Sequence, residues 1–151
     1  MLIYSPGKIE PYLDNAGKPI IESILEKTFV NIGGIKQGMF IKSKNINNPV
    51  LLYVLGGPAF PNYFLIDKFK PGLAEYFTVC YWAQRGDGLS YKPEVTVESM
   101  NFSQFSLNAI EVTNYLHKRF GKEKIYIIVY SGYSPIALLA VQKNCICFMH
   151  I

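Results

Sequence analysis

The sequence predicts an α/β fold in which a mostly parallel sheet follows an antiparallel start. Three observations carry that reading. Apolar strand-like runs alternate with helix-compatible segments from Val50 onward, the order that builds a parallel sheet with crossover helices. The run Ile125–Tyr130 is apolar or aromatic throughout, as in a strand buried on both faces. Gly33-Gly34 separates two earlier strand-like segments, which is a hairpin signal.

The elements follow in order. Met1–Glu22 mixes Pro, Gly, Asn and charge without a period and reads as an extended arm. Ser23–Asn31 and Ile35–Lys42 read as the two hairpin strands, and Asn45–Pro49 as a polar loop. Val50–Leu55 is short and wholly apolar, hence a central strand. Gly56-Gly57-Pro58-Ala59-Phe60-Pro61 follows at once. Two glycines there allow close backbone approach, although a purely structural turn needs the same residues. Tyr63–Tyr76 reads as a helical segment broken at Pro71-Gly72. Phe77–Trp82 is the next strand, and Gln84–Ser90 a glycine-rich loop.

Asn101–Phe120 is the clearest helix. Phe102, Phe105, Ala109, Val112 and Leu116 recur at helical spacing. Gly121 is a natural stop. His117 falls off that stripe and reads as a solvated surface histidine. Ile125–Tyr130 then runs into Ser131-Gly132-Tyr133-Ser134 and a helix-compatible segment, Pro135–Val141.

A chain of 151 residues holds one ordinary domain. The expected division is an arm over 1–22, a core domain over 23–143 and a tail over 144–151. Half the residues are apolar and 17% are charged, which excludes a disordered chain. The net charge of +4 is scattered, so no basic patch marks a nucleic-acid partner. No apolar run is long enough to span a bilayer, and Met1–Pro6 is too short for a signal peptide. Cys80, Cys145 and Cys147 form no disulfide framework; reduced thiols and a cytoplasmic setting are expected. Cys80 belongs to a core strand. Cys145, Cys147 and His150 lack the fourth ligand of structural zinc, so no metal is expected.

Ligands of open α/β sheets bind outside the carboxyl ends of the strands. Three glycine-bearing loops fall there: Gly56–Pro61, Ala83–Ser90 and Ser131–Ser134. Ser131 stands where a nucleophile elbow places its serine, on a sharp turn with a helix N-terminus aimed at it. The other reading of these residues is that Ser131 or Ser134 caps the helix.

Three motifs resemble those of α/β-hydrolases of the prolyl aminopeptidase (proline iminopeptidase) group. Leu52-Tyr53-Val54-Leu55-Gly56-Gly57-Pro58-Ala59 is similar to that group's strand ending in His-Gly-Gly-Pro-Gly. Tyr81 to Ser90 is similar to its Asp/Glu-Gln-Arg-Gly-x-Gly-x-Ser, and Lys124 to Ser134 to its strand ending in Gly-His-Ser-x-Gly. The resemblance runs from about Ile24 to Val141. It implies an α/β-hydrolase sheet that stops after the nucleophile-elbow helix. It also implies a serine hydrolase that takes a short peptide or other small acyl substrate through an acyl-enzyme. Ser131 would be the nucleophile, with the N–H groups of Gly57 and Gly132 as oxyanion hole. No cofactor is implied.

The departures are as specific. Val129 and Tyr133 stand where the group has glycines, Leu55 and Tyr130 where it has histidines, Ala83 for its acid and Ala59 for a glycine. A phenol at 133 must fit where the group leaves room for a hydrogen. The acid and histidine follow the serine in this family, and His150 is the one histidine after Ser131. An incomplete, inactive chain is therefore expected. The alternatives are a non-catalytic remnant that binds a peptide or partner, or a fragment completing a second chain. Asn144–Ile151 shows no helical stripe and reads as sequence foreign to the family. Ile125–Tyr130 is then expected to be an exposed apolar edge through which the chain self-associates.

Overall fold

The computed structural model describes residues 11–54, 63, 72–143 and the backbone of 148–150. β1 (Ile24–Ile32) and β2 (Ile35–Ser43) form the expected antiparallel hairpin, in register from Ile24↔Ser43 to Ile32↔Ile35. Gly33 and Gly34 turn it with φ of 58° and 80°, the left-handed pair that a tight hairpin turn demands.

Four further strands complete one sheet: β3 (Val50–Val54), β4 (Thr78–Trp82), β5 (Ile125–Val129) and β6 (Phe148–His150). Their order across it is β1-β2-β4-β3-β5-β6. β2 meets β4 antiparallel, whereas β3–β4, β3–β5 and β5–β6 are parallel. The chain thus leaves β3 to one side for β4, then crosses to its other side for β5. That reversal creates a switch point at the carboxyl end of β3. The wholly apolar composition of β3 and the burial of β4 at every residue are explained by their place in the middle.

One face of the sheet carries α2 (Phe102–Phe120) and α3 (Ser134–Lys143). Leu52, Val54, Trp82 and Ile127 pack there against Phe105, Val112, Ile136 and Ala140. Trp82 Nε1–H donates to Gln37 Oε1 at 2.9 Å, and Gln37 Nε2 in turn donates to the Ile32 carbonyl at 3.1 Å. The opposite face is aromatic: Leu51, Val79 and Tyr81 are buried among Phe40, Tyr53, Tyr63 and Tyr126. The short α1 (Leu73–Tyr76) begins after Gly72, whose φ is 73°. Of the expected broken helix over Tyr63–Tyr76, residues 64–71 lie outside the described residues.

α2 begins as its sequence demands. Asn101 caps it, its Oδ1 accepting the Gln104 N–H at 2.9 Å, and Gly121 closes it with φ 62°. Two expectations on this helix need correction. Phe102 is 61% exposed; as the first helical residue it precedes the stretch that lies on the sheet. Polar Ser106, Asn108 and Thr113 are buried instead, and Thr113 Oγ1 donates its proton to the Ala109 carbonyl at 2.8 Å. His117 is half-buried, and its Nδ1 bonds the Lys122 carbonyl just past the helix end. A carbonyl only accepts, so Nδ1 carries the proton.

The two chain ends also differ from expectation. The segment expected as an extended arm folds back at Leu13↔Pro19. Asp14 Oδ1 accepts the N–H groups of Ala16 and Lys18 there, each at 2.8 Å. β5 is not the edge of the sheet. Ile125, Tyr126 and Ile127 pair with Phe148, Met149 and His150. The chain returns after α3 and satisfies backbone groups that an edge would leave open.

Candidate active site

The sharpest local feature is the junction of β5 and α3. Tyr130 is extended, with φ −116° and ψ 131°. Ser131 then takes φ 62°, the sole positive φ of a non-glycine among the described residues. A short 3-10 turn, Ser131–Tyr133, leads directly into α3 at Ser134. The Ser134 N–H and Oγ–H both donate to the Ser131 carbonyl, the latter at 2.8 Å. Ser131 and Gly132 are exposed. A left-handed L-residue costs of order 1–3 kcal/mol and persists where its surroundings over-determine it.

This geometry bears on the capping reading of the serines. A capping residue has extended φ/ψ, and its side-chain oxygen accepts an N–H of the first turn. Ser131 is left-handed, and Ser134 donates to a carbonyl. Neither is a cap. The Gly132 N–H lies in the opening turn, where helical N–H groups have no intrahelical acceptor. Leu55, Gly56, Gly57 and Ala59 lie outside the described residues, and with them the Gly57 half of the expected oxyanion hole.

Tyr133 fits by turning its ring into the core. It is 3% exposed and stands edge-on to Phe105 of α2. Among the described residues its hydroxyl has no hydrogen-bond partner, although it is buried. Burial, and then the charge of Asp87, push its phenol up to about 12. Val129 is half-buried against the same core. Tyr130 is exposed, and Tyr53 of β3 is raised above the ordinary phenol value by burial and then by Tyr130.

The loop after β4 packs inward. Ala83, Gln84, Arg85, Asp87 and Ser90 are all buried. Ser90 Oγ donates to the Ala83 carbonyl and accepts the Gly38 N–H at 2.8 Å, tying the loop to β2. Arg85 donates to the Gly33 carbonyl and, at 3.4 Å, to Ser99 Oγ. Gly33 N–H donates to Glu111 Oε2 at 2.7 Å. The hairpin tip is thereby latched to α2 and to the loop. Asp87 opens the 3-10 turn Gly88–Ser90. Burial raises its carboxyl above the usual range, while the Gly88 N–H opposes that rise.

These roles of Arg85, Asp87 and Glu111 were not foreseen. For the first two a signal existed: charged residues inside a glycine-rich loop directly after a fully apolar strand. His117 sits at the end of α2 away from the Ser131 turn, since α2 runs opposite to β5 between the two sheet edges. Cys80 is buried as a free thiol, raised by burial. Among the described residues no three His, Cys, Asp or Glu side chains gather as for a metal ion; Cys145 and Cys147 lie outside them. No helix of the described residues is long and apolar enough to cross a membrane.

A parallel sheet with this strand order, an antiparallel hairpin at its start and a left-handed serine between strand and helix defines an α/β-hydrolase fold. Within that class the chain resembles the prolyl aminopeptidase group, over the N-terminal portion of the fold. It is 36% identical over 126 residues to the probable aminopeptidase YbaC of Bacillus subtilis (strain 168), a match spanning 83% of this chain and 40% of that protein. The chain therefore spans less than half the length of that relative. A proline iminopeptidase-related protein from Thermus thermophilus superposes with a TM-score of 0.65 at 23% identity, covering 84% of this chain and 44% of that one. A 2-hydroxy-6-oxo-6-phenylhexa-2,4-dienoate hydrolase from a Rhodococcus species gives 0.65 at 20% identity, covering 83% and 44%. No family profile matches the chain.

Proposed function

We propose that the chain is the nucleophile-bearing portion of a serine hydrolase of the prolyl aminopeptidase type. One observation carries the reading: the left-handed Ser131 between β5 and α3. That turn is the form of a nucleophile elbow, which exposes a serine hydroxyl above the sheet. Ser131 Oγ would attack the carbonyl carbon after an N-terminal residue, giving an acyl-enzyme that water then hydrolyses. The N–H groups of Gly132 and Gly57 would hold the negative charge that develops on the carbonyl oxygen. A short peptide is the expected substrate, by likeness to the aminopeptidase relative. A reducing, cytoplasmic setting suits the free thiol of Cys80.

Attack needs a base to take the serine proton, and His117 stands at the wrong end of α2. The chain by itself is expected to turn over slowly or not at all, since losing a triad member removes several orders of magnitude in rate. A second reading, a non-catalytic remnant that binds a peptide or partner chain, is favoured by Val129 and Tyr133 in place of the group's glycines.

The test is to treat folded protein with a fluorophosphonate and locate the adduct by mass spectrometry, alongside hydrolysis of a prolyl amide. Labelling confined to Ser131, with weak turnover, supports the first reading. A folded chain that takes no label at Ser131 leaves the second.

A further inference from the structure

The side chains that α2 and α3 turn to solvent change character along each helix. On α2 the exposed residues open with Phe102, Ser103 and Leu107 and continue with Glu111, Asn114 and Lys118. On α3 they open with Pro135, Leu138 and Leu139 and end with Gln142 and Lys143. Both helices start at the carboxyl edge of the sheet, α2 after the loop that leaves β4 and α3 after the Ser131 turn. Large apolar side chains of these helices are thus exposed in the first two turns, nearest Ser131, and not beyond. At the same edge Tyr130 is 58% exposed and Val97, in the loop leading to α2, is 83% exposed. Single exposed apolar residues are ordinary on any protein. Apolar exposure gathered at one edge and bounded by polar side chains marks an interaction surface.

Three observations select what covers it. The strand edge beside β5 is already taken by β6, so the helices offer the ground for docking. The match to the aminopeptidase relative takes in less than half of that protein, so the larger part of such a hydrolase lies outside it. Ser131 borders the surface, while among the described side chains the histidine is His117, at the far end of α2. A second copy of this chain would bring a second Ser131 and the same distant His117. A polypeptide bearing the acid and histidine that follow the serine in this class brings the base that Ser131 needs.

We propose that the apolar starts of α2 and α3, with Tyr130 and Val97, dock a second polypeptide: the carboxyl-terminal portion of an α/β-hydrolase of this group, carrying the acid and the histidine. The inference rests on Ser131 as nucleophile for its catalytic consequence. The docking itself is measured without any reaction at Ser131.

The experiment co-expresses the full chain with a tagged polypeptide covering the part of the aminopeptidase relative beyond the match. A one-to-one complex should elute in size exclusion with light scattering, and it should hydrolyse a prolyl amide that neither polypeptide cleaves alone. Leu138→Asp and Leu107→Asp place a charge at exposed positions. Each should lower the co-purified yield by about 10-fold or more, while Asn114→Asp, on the polar stretch of α2, should leave it unchanged. Where Leu107→Asp does not fold, Leu138→Asp decides. Absence of a complex overturns the proposal, as does an equal loss in Asn114→Asp. A stable dimer of the chain alone that Leu138→Asp dissociates also overturns it, since a second copy then covers the face. Ser131→Ala should keep the complex and lose the hydrolysis. A complex that forms, yet neither cleaves the amide nor takes a fluorophosphonate at Ser131, upholds the docking and counts against the nucleophile.

Discussion

The Tyr133 ring stands edge-on to Phe105, with centroids 5.4 Å apart and planes at 69°. Two residues earlier the backbone is left-handed at an exposed serine. A core contact and a strained surface turn thus share one short segment. Replacing Tyr133 by Ala removes a buried aromatic ring, a change that costs about 3–5 kcal/mol. Urea unfolding should show that loss, and fluorophosphonate labelling of the folded fraction should slow with it.

The same side chain makes stability depend on alkaline pH. The folded phenol is raised to about 12 from 10.0. The folded state therefore holds that proton more tightly than the unfolded chain. Its contribution is complete below about pH 10 and is lost as pH rises through about 12. Thermal unfolding followed between those limits should fall more steeply for wild type than for Tyr133→Phe. Equal slopes would contradict the shift.

Ser131 should behave as a residue kept at a cost. Ser131→Gly relieves the left-handed strain and should raise stability by about 1 kcal/mol in denaturant unfolding. It should also abolish labelling. Ser131→Ala should abolish labelling without that gain.

Gly33 is confined on two counts. Its φ is 58°, and a methyl group there would meet Asn108 Oδ1, Arg85 and Gln104 Nε2. Gly33→Ala should cost about 1–3 kcal/mol. Gly34 takes φ 80° but has open space around it, so Gly34→Ala should cost less. Urea unfolding of the two variants side by side measures the difference.

The buried indole of Trp82 depends on one acceptor, Gln37 Oε1. Gln37→Leu leaves that N–H unsatisfied and should cost about 1–3 kcal/mol by urea unfolding. The Ile32 carbonyl loses its side-chain donor as well.

Much of the sheet was legible because its strands announce their burial. β3 and β4 lie in the middle and read as apolar runs, and Gly33-Gly34 marks the hairpin between β1 and β2. Asn101 and Gly121 bounded α2 by local chemistry that needs no tertiary contact. The prominence of Ser131 was legible from its place between an apolar strand and a helix, although its backbone angle was not. What stayed hidden depends on distant partners. The burial of Asn108 is explained by the hairpin tip above it, and that of Arg85 by the Gly33 carbonyl. Phe102 looked like core from periodicity, yet the sheet does not reach it. β6 carries no strand signal of its own length and exists through pairing with β5.

The latch between Gly33 and Glu111 also bears on how the chain is made. Its hydrogen bond joins residues 78 apart in sequence. On a ribosome adding about 5–20 residues per second, the hairpin tip waits roughly 4 to 16 seconds for its helical partner to be synthesised. During that interval β1 and β2 can pair with each other and with β4, but cannot dock on α2. The apolar side of the hairpin is then open to chaperones or to neighbouring nascent chains, and nascent-chain capture over that window should find it bound.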